Sequence, residues 1–124
     1  MAKSYQHWRL ETDDERISWL YADKAAESTN SLSQDMLDEL AEIVDELEAG
    51  TVRGLVILSA KKNGFIAGAD INTIAEAKTT EQAAEFIRHG QGIFNRIEKL
   101  RFPTVCLIHG FCMGGGYELA LACR

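Results

Sequence analysis

Residues 108–120 (Ile-His-Gly-Phe-Cys-Met-Gly-Gly-Gly-Tyr-Glu-Leu-Ala) constrain this chain more than any other stretch. An apolar strand runs into three consecutive glycines. An apolar helix follows, with one carboxylate, Glu118, in its first turn. Glycine lets a backbone pass close to a ligand. The N–H groups at a helix start lack intrahelical acceptors, and the helix dipole favours negative charge in front of them. Such an arrangement suits a developing oxyanion better than a resting substrate. Glu118 is placed to act on the same ligand as acid or base. The chain reaches Arg124 a few residues later, so the expectation is a site of which these residues carry one part.

Local patterns predict the scaffold. Residues 5–10 and 16–21 read as two strands of a hairpin, with Asp13, Asp14 and Glu15 as the turn. Residues 22–32 are small and polar and read as a loop. Ser33 is a helix N-cap with acidic Asp35 behind it, and Leu37, Leu40, Ile43, Val44 and Leu47 recur at helical spacing up to Gly50. Residues 54–59 form a continuous apolar run, as a strand buried on both faces does. Residues 61–64 read as a turn. A short helix is expected from Ile71 to Ala77. Thr79 or Thr80 caps a longer helix with an apolar stripe of Ala83, Phe86, Ile87, Ile93, Phe94, Ile97 and Leu100. Gly90 and Gly92 weaken that helix by roughly 1 kcal/mol each relative to alanine, and a kink is expected there. A strand over 104–108 follows Pro103, and the last helix starts near Gly115. Helix and strand alternate after the hairpin, which predicts an α/β fold with a largely parallel sheet.

Bulk properties exclude several classes. A length of 124 residues suits one small domain. A net charge of −6 argues against a general nucleic-acid binder. Cys106, Cys112 and Cys123 are an odd number without paired spacing, so they read as small buried thiols rather than a disulfide framework or a metal site. The N-terminus lacks an apolar signal core, and no apolar run approaches the ~20 residues of a membrane span. A cytoplasmic location is expected. The glycine run is neither a Walker loop nor a Gly-x-Gly-x-x-Gly fingerprint.

Two segments together carry a resemblance. Residues 65–71 (Phe-Ile-Ala-Gly-Ala-Asp-Ile) and 109–119 resemble the two oxyanion-hole segments of the crotonase (enoyl-CoA hydratase/isomerase) superfamily. The spacing between them and the intervening helix are also similar. Residues 25–33, with Asn30 and Leu32, look like the family's early CoA-facing loop and helix start. Within the family, residues 66–72 and 118–124 are most similar to the N-terminal region of multifunctional fatty-acid oxidation alpha subunits.

This resemblance implies an α/β, ClpP/crotonase-like fold of repeated ββα units with a mostly parallel sheet. Residues 1–124 would be its N-terminal part, truncated before the second catalytic carboxylate. It implies Ala69 and Gly115 as the oxyanion-hole donors and Glu118 as the first of two hydratase glutamates. Lys24, Ala25, Ala67, Gly68, Asp70, Ile71 and Gly114 would line the CoA and acyl path. The substrate implied is a coenzyme A thioester, with no metal and no cofactor in this segment. NAD is expected only for a 3-hydroxyacyl-CoA dehydrogenase region elsewhere. The implied partners are further copies of the chain, or a thiolase beta subunit in the multienzyme.

Plainer readings stand beside these. Glycines 114–116 make a tight turn. Glu118 gains ~0.3–1 kcal/mol simply by sitting at a helix N-terminus. Asp70 caps the short helix after it. His109 reads as structural, and His7 and His89 as surface residues. Lys61 and Lys62 fit a solvated turn better than a CoA-phosphate contact, for which Lys24 is the better candidate. Ser59 lacks a nucleophile elbow. The function expected is hydration of trans-2-enoyl-CoA to 3-hydroxyacyl-CoA in fatty-acid β-oxidation, within a larger enzyme with dehydrogenase activity. The alternatives are a single-function crotonase, such as an isomerase, decarboxylase or thioester hydrolase, or a non-catalytic fragment. The 124 residues alone are expected to be inactive.

Overall fold

The computed structural model describes residues 4–124. Strands β1 (Trp8–Thr12) and β2 (Ile17–Ala22) pair antiparallel, with Leu10 opposite Leu20. Asp13 organises the turn: its carboxylate accepts the N–H groups of Glu15 and Ile17 and the indole N–H of Trp19. The first strand starts later than its alternation predicts. Glu39 on the following helix accepts the N–H groups of Gln6 and His7, so those donors serve a helix carboxylate.

Helix α1 (Gln34–Ala49) begins at Ser33, whose hydroxyl accepts the Met36 N–H at 3.2 Å. All five apolar residues predicted for its stripe are buried. Strand β3 (Gly54–Ser59) then pairs parallel with β2, and β5 (Thr104–Cys106) pairs parallel with β3. The main sheet is therefore ordered β1-β2-β3-β5 and is parallel except at the hairpin.

A second, two-stranded parallel sheet joins β4 (Gly64–Ile66) to β6 (Phe111–Cys112). The strand expected over 104–108 is divided to make it. β5 stops at Cys106, Leu107 and Ile108 are half-exposed, and the chain turns at Gly110. A Cβ at Gly110 would lie 2.5 Å from the Asn63 carbonyl oxygen; only glycine lets the two backbones approach this closely.

Helix α2 (Ile71–Glu76) is capped by Asp70 and α3 (Thr80–Glu98) by Thr79. α3 runs uninterrupted through both glycines. Gly90 is buried where α3 meets Leu37 of α1, whereas Gly92 faces open space. The last helix, α4 (Gly115–Ala122), packs on α3 and β4. It closes at Cys123, and Thr104 and Arg124 then exchange two hydrogen bonds at the start of β5.

His7 is buried rather than on the surface, because its Nδ1 accepts the Ala25 N–H at 3.0 Å. His89 is half-buried against Asp38. The three cysteines are half-buried, since β5, β6 and the end of α4 lie at the margin of the core.

Candidate active site

The second sheet places two loops face to face. One follows β4 and carries Ala67, Gly68, Ala69 and Asp70. The other follows β6 and carries Met113, Gly114 and Gly115. Gly68 (φ 117°) and Gly114 (φ 51°) both occupy the left-handed half of backbone space, where a side chain is strained. A Cβ at Gly68 would lie 3.7 Å from the Gly114 Cα and 3.8 Å from the Gly115 nitrogen. A Cβ at Gly115 would lie 3.9 Å from the Ala69 nitrogen.

Ala69 is held from behind. Leu32 donates to the Gly68 carbonyl at 2.7 Å and accepts from the Asp70 N–H at 2.9 Å. This short parallel bridge uses the groups on either side of Ala69 and turns the Ala69 N–H away from Leu32. Gly115 is the first residue of α4, where an N–H has no intrahelical acceptor. Among the described residues, neither N–H donates to a protein acceptor. Ala69, Gly115 and Glu118 line one apolar cleft of about 90 Å³, walled by Leu32 and Leu37 and by Phe86, Ile87, Gly90, Gln91 and Phe94 of α3. The Glu118 side chain is exposed and, among the described residues, has no hydrogen-bond partner. Two backbone donors and a free carboxylate thus share one hydrophobic opening.

The α3 wall is a component that sequence reasoning missed. Phe86, Ile87 and Phe94 read as core stripe, yet Ile87 remains 51% exposed at the cleft. Nothing in a helical periodicity separates a residue facing a neighbouring helix from one facing a ligand.

Gly114 precedes α4, Ala67 is half-buried, and Ile71 is exposed at the start of α2. Asp70 does cap α2: one carboxylate oxygen accepts the Asn72 and Thr73 N–H groups. Its other oxygen pairs with the ammonium of Lys24, which is only 4% exposed. Lys24 Nζ also reaches Ser31 Oγ at 2.9 Å and Glu27 at 3.0 Å. All three donors of the ammonium are thereby engaged within the protein. Lys61 is similarly tied, to Asp23 at 2.9 Å and to the Lys24 carbonyl at 2.7 Å. His109 Nε2 meets the Lys61 carbonyl oxygen at 2.8 Å. Among the described residues, no three His, Cys, Asp or Glu gather to hold a metal.

The Lys24 hydrogen bond holds the Asp70 carboxyl below its ordinary value. Burial acts to lower the Lys24 value, but hydrogen bonds to Asp70 and Glu27 outweigh it, and the ammonium is raised. Asp70's contribution to stability is therefore present above pH 3.8 and lost as pH falls through its lowered value. That of Lys24 is present below pH 10.5 and lost as pH rises through its raised value. Asp70→Asn keeps the cap and removes the charge pair, so it should destabilise by about 1–3 kcal/mol at neutral pH. Thermal melts of parent and variant should converge below pH 3.8. A difference that persists unchanged there would show that the pair is not its source.

A fold with a mostly parallel sheet, and two loops meeting over a helix start, is that of the crotonases, and the chain belongs to the enoyl-CoA hydratase/isomerase family, whose model matches residues 24–124. Solved enoyl-CoA hydratase structures share the architecture. That from Bacillus anthracis superposes with a TM-score of 0.88 at 27% identity, over 96% of this chain and 46% of its own. An enoyl-CoA hydratase/isomerase from Xanthobacter autotrophicus gives 0.86 at 27% identity, over 98% and 45%.

Among curated proteins, the chain is similar to the fatty acid oxidation complex subunit alpha of Aliivibrio fischeri, with 47% identity over 113 residues. The same subunit of a Shewanella species is 41% identical over 118 residues. These matches cover 90% and 94% of this chain but only 16% and 17% of the relatives' length.

Proposed function

We propose that this segment supplies the carbonyl-binding part of a site that hydrates trans-2-enoyl-CoA thioesters to 3-hydroxyacyl-CoA during fatty acid oxidation. The observation that carries this reading is that Ala69 and Gly115, whose N–H groups have no protein acceptor among the described residues, line one apolar cleft with Glu118. The thioester oxygen lies between the two donors. As water adds to C3, negative charge builds on that oxygen, and the two N–H groups stabilise it where they stand. Glu118 takes a proton from the attacking water. A proton must also reach C2. A second carboxylate shares this acid–base work and comes from outside these residues, as the partial coverage of the relatives allows. The apolar wall of α3 shields the reacting carbons from bulk water.

The likeness to alpha subunits of the fatty acid oxidation complex supports a wider reading. The segment then belongs to a multifunctional enzyme whose dehydrogenase region uses NAD to oxidise the 3-hydroxyacyl product, and whose partner is a thiolase subunit. No dinucleotide fingerprint occurs in these 124 residues, so NAD would sit elsewhere. Among the described residues, no helix is long and apolar enough to cross a membrane.

The test is hydration of a short trans-2-enoyl-CoA by the full-length protein, followed by loss of the conjugated thioester absorbance and by a product heavier by one water. A full-length protein that leaves this substrate unchanged but moves the double bond of a 3-enoyl-CoA would replace hydratase with isomerase.

A further inference from the structure

We propose that Lys24 is a positioning residue: through Asp70 it fixes the direction of the Ala69 N–H that receives the substrate carbonyl. The proposal rests on the oxyanion reading of Ala69 given above.

Asp70 does more than a helix cap requires. Capping α2 uses one carboxylate oxygen, toward the N–H groups of Asn72 and Thr73. A cap of this kind leaves the second oxygen to water. Here Lys24 and Ser31 hold it, from positions 46 and 39 residues earlier in the chain. The Asp70 side chain is only 12% exposed as a result.

Lys24 is itself immobilised. Its backbone N–H donates to Asn30 Oδ1 at 2.9 Å, and its carbonyl accepts from Lys61 Nζ. Asn30 is fully buried. Its amide nitrogen, with two N–H donors, lies 2.9–3.1 Å from the Ala22 carbonyl, Ser59 Oγ and the Phe65 carbonyl, and its backbone carbonyl accepts the Ala67 N–H at 2.8 Å. The anchor for Asp70 is therefore the rigid end of the main sheet. Ala69 is gripped on one side by the Leu32 bridge and on the other by Asp70. Two fixed neighbours leave its peptide one orientation, which electrostatic preorganisation requires.

Burying an ammonium is unfavourable unless it is fully paired. A lysine that served only a CoA phosphate would keep its head in solvent. Lys24 Nζ instead ends on the carboxylate of Asp70, the residue that follows Ala69.

The test uses the full-length protein, with Lys24→Met, Lys24→Arg and Asp70→Asn. Two readouts are taken: hydration kinetics, and the absorption of a bound conjugated dienoyl-CoA. The chromophore shifts to the red when its carbonyl is polarised. Lys24→Met is expected to lower kcat by about 10–100-fold while KM stays within about twofold, and to abolish most of the red shift. Lys24→Arg should recover most of both. Asp70→Asn keeps the cap and should reproduce the loss, which keeps the proposal testable if Lys24→Met does not fold. Unchanged kcat and red shift in either neutralised variant would overturn the proposal. So would a raised KM with unchanged kcat, since Lys24 would then hold substrate directly. If the unsubstituted protein itself neither hydrates nor shifts the chromophore, the oxyanion reading fails and this proposal falls with it. Activity in the parent without any response at Lys24 and Asp70 would refute the positioning role alone.

Discussion

Glu118→Gln in the full-length protein is expected to lower kcat for hydration of a trans-2-enoyl-CoA by about 10²–10⁴-fold, with KM moving by no more than about threefold. The amide has the shape of the carboxylate but cannot accept a proton from water. The side chain is exposed to the cleft and, among the described residues, has no hydrogen-bond partner to lose. The substitution should therefore leave the fold in place. Its structural consequence is limited to the favourable charge at the start of α4, worth about 0.3–1 kcal/mol. Steady-state kinetics alongside a thermal melt separate the two effects. Retention of kcat within about twofold would remove Glu118 from the acid–base chemistry.

Gly115→Val is expected to reduce kcat/KM by about 10²–10³-fold, the range for losing one oxyanion donor. A Cβ at this position falls 2.8 Å from Leu32 Cδ1 and 3.9 Å from the Ala69 nitrogen. Leu32 Cδ1 is the end of a flexible side chain and can swing aside. The added methyl groups then occupy the space between the two N–H donors. The neighbouring glycine offers the contrast. A Cβ at Gly116 falls 2.6 Å from the Ile66 carbonyl oxygen and 2.7 Å from Ile66 Cβ, and backbone cannot yield so readily. Gly116→Ala should destabilise by about 1–3 kcal/mol through overpacking. Adjacent glycines thus separate in one experiment: Gly115→Val loses turnover with little change in Tm, and Gly116→Ala loses Tm. Equal Tm losses for both would mean that Gly115 is there for packing alone.

What the sequence made legible was set by signals acting over a few residues. Ser33 and the spacing of Leu37 to Leu47 located α1, and the apolar run at 54–59 located β3. Three glycines before an apolar helix located the start of α4 and, with it, Glu118. The short helix at 71 was legible through its cap, Asp70.

The rest depended on partners far along the chain. Residues 104–108 carry one apolar pattern, yet the chain leaves the main sheet after Cys106 and pairs again at Phe111, because β4 lies there to receive it. The burial of His7 follows from Ala25, and the engagement of Lys24 from Asp70. A lysine in a polar loop looks solvated until the aspartate 46 residues later folds onto it. The cleft wall on α3 was invisible for the same reason.

The bridge from Leu32 to Ala69 and the pairing of β4 with β6 also have a thermodynamic consequence. The two donors come from segments that meet only when the folded chain closes, so the unfolded ensemble offers a bound oxyanion nothing comparable. A ligand that spans both N–H groups binds the native state alone, and its affinity is added to the free energy of folding. At a hundredfold excess over its dissociation constant this amounts to about 2.7 kcal/mol. Occupancy and thermal resistance would then rise together, and the fold would be hardest to unfold while a ligand spans both N–H groups.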